Sequence, residues 1–144
     1  MNGQDFLRIA NDVFVPFLKE LDFVMDEPSI GGRFYCVDFN SASHQVSVSY
    51  EPGDDAFFVM VGECRNRKFI DIDDRAKTPR LADLNSRYMP TVTNEERAEN
   101  EAAFELVIAR DKEERFLLKA AKELRLVLPK YLENQESINQ SMNQ

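Results

Sequence analysis

The feature that most constrains the fold is a series of three strand-like segments joined by short polar turns. Residues 33–39 are rich in aromatic and β-branched side chains, residues 45–50 alternate strictly between apolar and polar, and residues 56–62 are apolar on both faces. Each connection has only five residues, whereas a crossover between parallel strands needs roughly a dozen. The segments therefore predict an antiparallel meander, with a shorter fourth strand over residues 68–72.

The alternation in the second strand predicts which way its side chains point. Successive residues of a strand face opposite sides of a sheet, so one set belongs to the core and the other to water. The apolar set is Val46, Val48 and Tyr50, and the polar set is Gln45, Ser47 and Ser49. The third strand has no polar face, so we expect it at the centre of the sheet.

Helical patterns flank this predicted sheet on both sides. Apolar residues at steps of three and four predict an amphipathic helix over residues 5–23, which Pro16 should kink or split near residues 13–15. On the C-terminal side, Thr78 followed by Pro79 predicts the N-cap and first turn of a short helix.

The C-terminal third begins with a capping box, in which Thr93 and Glu96 each satisfy a backbone amide of the other. A helix is expected to follow through residues 104–109, although these residues also alternate and are compatible with a strand. A second helix start at residues 111–114 leaves open whether there is one long helix or a broken pair. Pro129 is expected to end or bend the last helix.

The predicted architecture is α+β. An N-terminal amphipathic helix precedes a three- to four-stranded antiparallel sheet, and two or three C-terminal helices pack on one face of the sheet. Residues 1–132 are expected to form a single domain, because their length suits one hydrophobic core. Residues 133–144 are polar and predict a frayed tail.

Charge is distributed unevenly along the chain. The 144 residues carry a net charge of −8, and the whole excess lies in residues 1–63, which hold three basic and eleven acidic side chains. Phosphates repel a net anion, so a general role in nucleic-acid binding is not expected. An acidic surface can instead attract a basic protein.

The sequence contains no signal-peptide pattern and no apolar run of the roughly 18 residues that a membrane span requires. We therefore expect a cytoplasmic protein without a membrane partner. Its two cysteines, Cys36 and Cys64, are too few for a disulfide framework and are expected to be buried free thiols.

No catalytic motif stands out. The only histidine, His44, lies in a turn with Ser41 and Ser43, but serine is an ordinary turn residue and no nucleophile elbow follows. Asp71 and Asp73 would lie on one side of an extended chain and could share a divalent cation. We expect ion pairing or turn capping there, and predict no metal, no cofactor and no enzyme activity; a metal-dependent hydrolase remains the alternative.

Two acidic clusters are the candidate partner-binding residues. The first lies at a hairpin tip between aromatic residues, where carboxylates can surround aromatic anchors; it comprises Tyr50, Glu51, Asp54 and Asp55. The second follows the fourth predicted strand and comprises Asp71, Asp73 and Asp74.

These acidic clusters on a helix-plus-sheet frame resemble those of the small immunity proteins of bacterial toxin–immunity systems. The resemblance covers about residues 5–132 and is one of general character, since this chain lacks the tryptophan signature of the large immunity superfamily. It implies a protein without enzymatic activity that binds and blocks a basic toxin, often a nuclease. The chain is also similar in length and acidity to type III secretion chaperones, which form dimers but usually place a helix between two groups of strands.

Overall fold

The computed structural model describes residues 1–142 and has an α+β fold. An N-terminal helical segment leads into an antiparallel sheet, and the C-terminal part is helical. The predicted order of elements is therefore confirmed. The sheet has more strands than expected.

The N-terminal segment consists of two helices, α1 (Gly3–Val13) and α2 (Val15–Glu20). Asn2 caps α1 by accepting a hydrogen bond from the backbone amide of Asp5, at 2.8 Å. The two helices meet at Phe14, and Pro16 occupies the first turn of α2. This break is where Pro16 predicted it, because proline has no amide to continue the hydrogen bonding of the preceding helix.

Within residues 1–142 the sheet contains six strands. They are β1 (Val24–Met25), β2 (Ser29–Gly31), β3 (Phe34–Asn40), β4 (His44–Glu51), β5 (Ala56–Arg65) and β6 (Lys68–Phe69). The order is β1-β3-β4-β5-β6, with β2 also pairing with β3, and every pairing is antiparallel. The predicted meander is β3-β4-β5, and the predicted fourth strand is shortened to β6. The expected three to four strands missed β1 and β2.

The inner face of the sheet packs against α1 and the last helix. Its buried side chains include Val37, Val46 and Val48. Phe14 of α1 lies 6.3 Å, ring to ring, from Phe39 of β3, and Phe6 lies 6.5 Å from Tyr50 of β4. The predicted apolar set of β4 therefore does form the core side of the strand.

The outer face of the sheet does not face open water as predicted. Gln45, Ser47 and Ser49 are buried on the floor of a groove of about 420 Å³. The side-chain amide of Gln45 donates to the backbone oxygen of Arg67 at 2.8 Å, which ties β4 to the turn between β5 and β6. Larger side chains from neighbouring strands and from the segment after β6 shield this floor.

That segment, residues 70–80, folds back along β5. The amide of Val61 donates to the oxygen of Pro79 at 3.0 Å. Gly62 permits this approach, because a Cβ atom there would lie 2.8 Å from the backbone oxygen of Lys77. Thr78 is buried, and its hydroxyl donates to the backbone oxygen of Asp71 at 2.6 Å. Thr78 is thus not an N-cap, and the prediction of a helix starting there is wrong.

The helix begins later, as α3 (Leu81–Tyr88), with Arg80 at its N-cap and a 3-10 turn (Met89–Thr91) after its end. The capping box of Thr93 and Glu96 is confirmed and begins α4 (Asn94–Ala103). Buried Asn100 fixes α4 to the last helix by donating to the oxygen of Lys122 at 2.9 Å. Residues 104–110 are neither helix nor strand, so both expectations for them are wrong.

The last helix, α5 (Lys112–Met142), begins at the predicted second start and continues through Pro129. Leu128 and Tyr131 are buried on either side of this proline. Their packing holds the chain helical even though Pro129 offers no amide to the preceding turn. Helix α5 therefore covers the predicted tail as far as Met142, and residues 143–144 of that tail lie outside the described residues.

A buried ionic cluster joins α1 to the start of α5. Glu114 is fully buried and hydrogen-bonds to Arg8 of α1, while its other oxygen accepts from Nε of Arg110 at 3.1 Å. Arg110 also pairs with Asp5 at 2.9 Å. Burial opposes ionisation of Glu114, but the hydrogen bonds from the two arginines outweigh it and lower its pKa.

Candidate functional site

The first acidic cluster lies on the turn between β4 and β5, at one end of the sheet. Glu51 ends β4, and its backbone oxygen accepts from the amide of Asp54 at 3.2 Å. Asp54 and Asp55 are exposed, and Asp55 has a positive φ of 48°. The turn therefore presents two carboxylates to solvent, with that of Glu51 half-buried behind them.

Tyr50 supports this turn from below. It is buried, its ring stacks on Phe57 at 4.3 Å, and its hydroxyl donates to a carboxylate oxygen of Asp55 at 3.0 Å. Burial, together with the neighbouring Asp55, raises the pKa of Tyr50 to about 12. Tyr50 thus holds Asp55 in place while its own surface is covered by the core.

The exposed aromatic residue beside this turn is Phe34, which was not among the predicted site residues. Tyr35 pairs with Tyr50 across β3 and β4, so Phe34 lies at the position facing Glu51. Phe34 is 43% exposed and lines a surface cleft of about 480 Å³ together with Arg33, Glu51, Gly53 and Asp54. We define the acidic tip as Phe34, Glu51, Asp54 and Asp55.

One sequence signal could have identified Phe34. In β3 it shares its side of the strand with Cys36 and Asp38, while Tyr35 and Val37 share the core side. An aromatic residue on the polar side of a strand is a candidate surface anchor.

The second acidic cluster mainly caps its own loop. A carboxylate oxygen of Asp71 accepts from the amide of Asp74 at 3.3 Å, and one of Asp74 accepts from the amide of Ala76 at 2.9 Å. Asp73 is exposed. Among residues 1–142, no three His, Cys, Asp or Glu side chains are grouped so that they could hold a metal ion.

The structure does not bring the two acidic clusters together. The loop of Asp71 packs beside Gly62, whereas the acidic tip lies at Ala56, the first residue of β5. A strand rises ~3.3 Å per residue, so these places are ~20 Å apart along β5.

His44 lies in a separate polar pocket of about 700 Å³, together with Ser43, Glu63 and Cys64. Its Nδ1 is 2.7 Å from the hydroxyl oxygen of Ser43, and its ring is packed against Tyr131. Burial lowers the pKa of His44, against the opposing charge of Glu63. Within residues 1–142 no carboxylate hydrogen-bonds to the ring, as one would in a catalytic triad.

Both cysteines are free. Burial raises the pKa of Cys36 to about 11 and also raises that of Cys64. A thiol nucleophile acts as its thiolate. Neither side chain is thus prepared for nucleophilic chemistry near neutral pH.

Comparisons with known protein families, with curated proteins and with solved structures found no match to this chain. Within the described part of the chain, no helix combines the length and apolarity that a membrane crossing requires.

Proposed function

We propose that this chain is a non-enzymatic binding protein that neutralises a basic protein partner through the acidic tip. The observation that carries the proposal is the exposed ring of Phe34 beside the carboxylates of Glu51 and Asp54. Aromatic anchors surrounded by charged residues are typical of tight protein interfaces. A toxin of the kind blocked by bacterial immunity proteins is the partner that best fits this chemistry, and the cytoplasm is the compartment that we propose.

The charge distribution supports an electrostatically steered encounter. The net charge of −8 belongs entirely to residues 1–63, which include the whole acidic tip. Complementary charge speeds association by orienting the partners before contact. Carboxylates of the tip would then form charge-assisted hydrogen bonds with arginine or lysine of the partner.

The alternatives receive less support from the fold. Strands β1 to β6 follow one another without an intervening helix, unlike the arrangement usual in type III secretion chaperones. The hydrolase alternative needs further ligands beside Asp71 and Asp73, and among residues 1–142 no three His, Cys, Asp or Glu side chains are grouped to supply them. Neither a chaperone nor a metal-dependent hydrolase is favoured by a specific observation.

The test uses the protein encoded beside this chain in its genome as the candidate partner. We expect co-expression of the chain to restore the growth of cells producing that protein, and stopped-flow mixing to show association that slows with salt. The double variant Glu51→Lys and Asp54→Lys should slow association roughly tenfold and flatten its salt dependence. Asp55 is left unchanged because Tyr50 binds it.

The matched control is Asp73→Lys, which makes the same charge reversal on an exposed aspartate far from the acidic tip. It should leave the association rate within about twofold of the parent. Failure of the chain both to bind and to rescue growth would contradict the neutralising function. Equal slowing by the tip variant and the control would reject the tip as the contact surface.

A further inference from the structure

The edge of β5 next to the acidic tip has unpaired backbone groups. Along β5 the backbone amides point alternately toward β4 and away from it. The amide of Val61 points away from β4, because it donates to the backbone oxygen of Pro79. The amides of Phe57 and Val59 point the same way as that of Val61. In residues 1–142 neither of their amides has a backbone partner on that side. The pairing reaches Val59, because the bridge between Met60 and Arg80 sets Leu81 opposite it; in the described part of the chain, the amide of Val59 and the backbone of Phe57 are left free on this edge.

An apolar cleft of about 410 Å³ adjoins this free edge. It lies between β5, the first turn of α3 and the beginning of α5. Its apolar lining includes Phe57, Val59, Leu81, Ala82, Phe116 and Ala120. Phe116 is 51% exposed although its ring stacks on Phe57 at 4.9 Å. The cleft is thus an extension of the core that the chain itself leaves unfilled.

The charged groups around the cleft are two cations and one carboxylate, and the buried Oδ1 of Asn85 has no hydrogen-bond partner among the described residues. Among the described residues, Lys119 has no carboxylate within ion-pair distance. The guanidinium of Arg80 donates only to the backbone oxygens of Thr78 and Ile72. The one carboxylate in the lining, Glu123, already accepts from the side-chain amide of Asn85 at 3.0 Å. The rim therefore favours a negatively charged occupant.

We propose that this cleft binds an extended segment of a partner protein as an added strand on β5. The segment's main chain would pair with Phe57 and Val59, and apolar side chains at alternate positions would enter the cleft. An acidic side chain of the segment would reach Lys119 and Arg80. A small apolar ligand could fill the cleft but would leave the free strand edge unpaired.

This surface is independent of the proposed function. The acidic tip attracts a basic partner, whereas the cleft rim attracts an acidic segment. The two surfaces share only the start of β5, so one variant can remove either of them without the other.

The probe is a set of acetylated and amidated heptapeptides that alternate Val or Leu with Glu, compared with a set that alternates them with Lys. NMR titration of the full chain should show saturable binding of the Glu set, at least fivefold tighter than the Lys set. The amides of Phe57 and Val59 should exchange at least tenfold more slowly when the peptide is bound. The absence of saturable binding, or binding without this protection, would overturn the proposal.

Four variants sharpen the test, two of them controls. Lys119→Glu should weaken binding of the Glu peptides at least fivefold. The matched control is Lys19→Glu, which changes an exposed lysine on α2 and should leave that binding unchanged. Val59→Pro removes an outward amide that the β4 pairing does not use, and should abolish the protection. Should Val59→Pro fail to fold, Lys119→Glu still decides. Glu51→Lys should leave peptide binding unchanged. If Lys119→Glu bound each peptide set as tightly as the parent does, the proposed preference for acidic segments would be rejected.

Discussion

At the scale of single residues, His44 is the side chain whose protonation most directly affects the fold. It is 7% exposed, and its Nε2 is buried without a hydrogen-bond partner in the described chain. Protonation would place a charge in this desolvated position, which is why burial lowers its pKa from the ordinary value of 6.5. The neutral form therefore stabilises the folded state relative to the unfolded chain.

The stability of the protein should consequently fall as the pH is lowered below 6.5. The unfolded chain binds a proton at His44 more readily than the folded chain does, so acid favours unfolding. The stabilisation is fully present above 6.5 and is lost as the pH falls toward the lower folded pKa. Urea unfolding at several pH values, followed by circular dichroism, measures the trend.

The comparison variant is His44→Gln, which cannot titrate. Its free energy of unfolding should depend less on pH between about 7 and 5 than that of the parent. Parallel curves for the two proteins would show that other groups produce the trend.

The site residues illustrate how far the sequence could be read at this scale. Alternation already placed Tyr50 with Val46 and Val48 on the apolar side of β4, and the structure buries all three. The proximity of Tyr50 to acidic residues predicts a surface anchor, whereas the alternation predicts burial, and Tyr50 is 3% exposed. The composition of residues 33–39 predicts a strand but not its faces; Phe34 lies on the outer face because its position alternates with Tyr35 and Val37 on the core side.

At the scale of elements, the segment that folds back beside β5 depends on Gly62. A Cβ atom there would lie 2.8 Å from a backbone oxygen of Lys77 and 3.0 Å from the hydroxyl of Thr78. Gly62→Ala should therefore push this segment away from the strand and lower the free energy of unfolding by roughly 1–3 kcal/mol. Chemical denaturation followed by circular dichroism checks the change.

Gly53→Ala is the matched control, since a Cβ atom at Gly53 meets nothing within 4 Å. The control should change stability by less than about 0.5 kcal/mol. A Gly62→Ala variant as stable as the control would show that the segment can move without cost.

Elements with strong local signals were predicted well. Strands β3, β4 and β5, the break near Pro16 and the capping box at Thr93 all have a local physical cause in a few neighbouring residues. Strands β1 and β2 have two and three residues, too few for any periodicity, and exist because β3 offers them hydrogen bonds. Their formation depends on tertiary contacts that local sequence does not encode.

In helix α5 a strong local signal is present, but tertiary contacts override it. Pro129 is a strong local signal for an ending, yet buried contacts of Leu128 and Tyr131 on both sides keep the helix continuous. Tertiary packing of an apolar helix face commonly outweighs the preference of a single residue. Residues 104–110 are a second example, because their apolar alternation predicts burial but is largely exposed, with Leu106 at 90%.

At the scale of the whole molecule, β5 separates two surfaces of opposite character. The acidic tip lies before its first residue, and the cleft with Lys119 and Arg80 on its rim lies along its free edge. The net charge of −8 does not describe the cleft, because the cleft rim belongs to the electrically balanced C-terminal part of the chain. Binding at one surface is therefore expected to respond to salt and charge reversal differently from binding at the other.

The hydrophobic core formed by the described residues should set how much of α5 is needed for folding. Val127, Leu128 and Tyr131 are its last buried residues, and beyond them α5 is mostly exposed. A chain ending at residue 133 should keep one cooperative thermal transition, with a melting temperature within about 4 °C of the full chain. It loses no fully buried apolar side chain.

A chain ending at residue 126 is the comparison, since it lacks all three of those core residues. Removing one large buried side chain typically costs about 2–5 kcal/mol, against a total stability of about 5–15 kcal/mol. The shorter chain should therefore show no cooperative transition in circular dichroism. Loss of the transition in the chain ending at residue 133 would instead mean that the exposed end of α5 stabilises the core through contacts on the polar pocket of His44, whose lining includes Gln135 and Asn139.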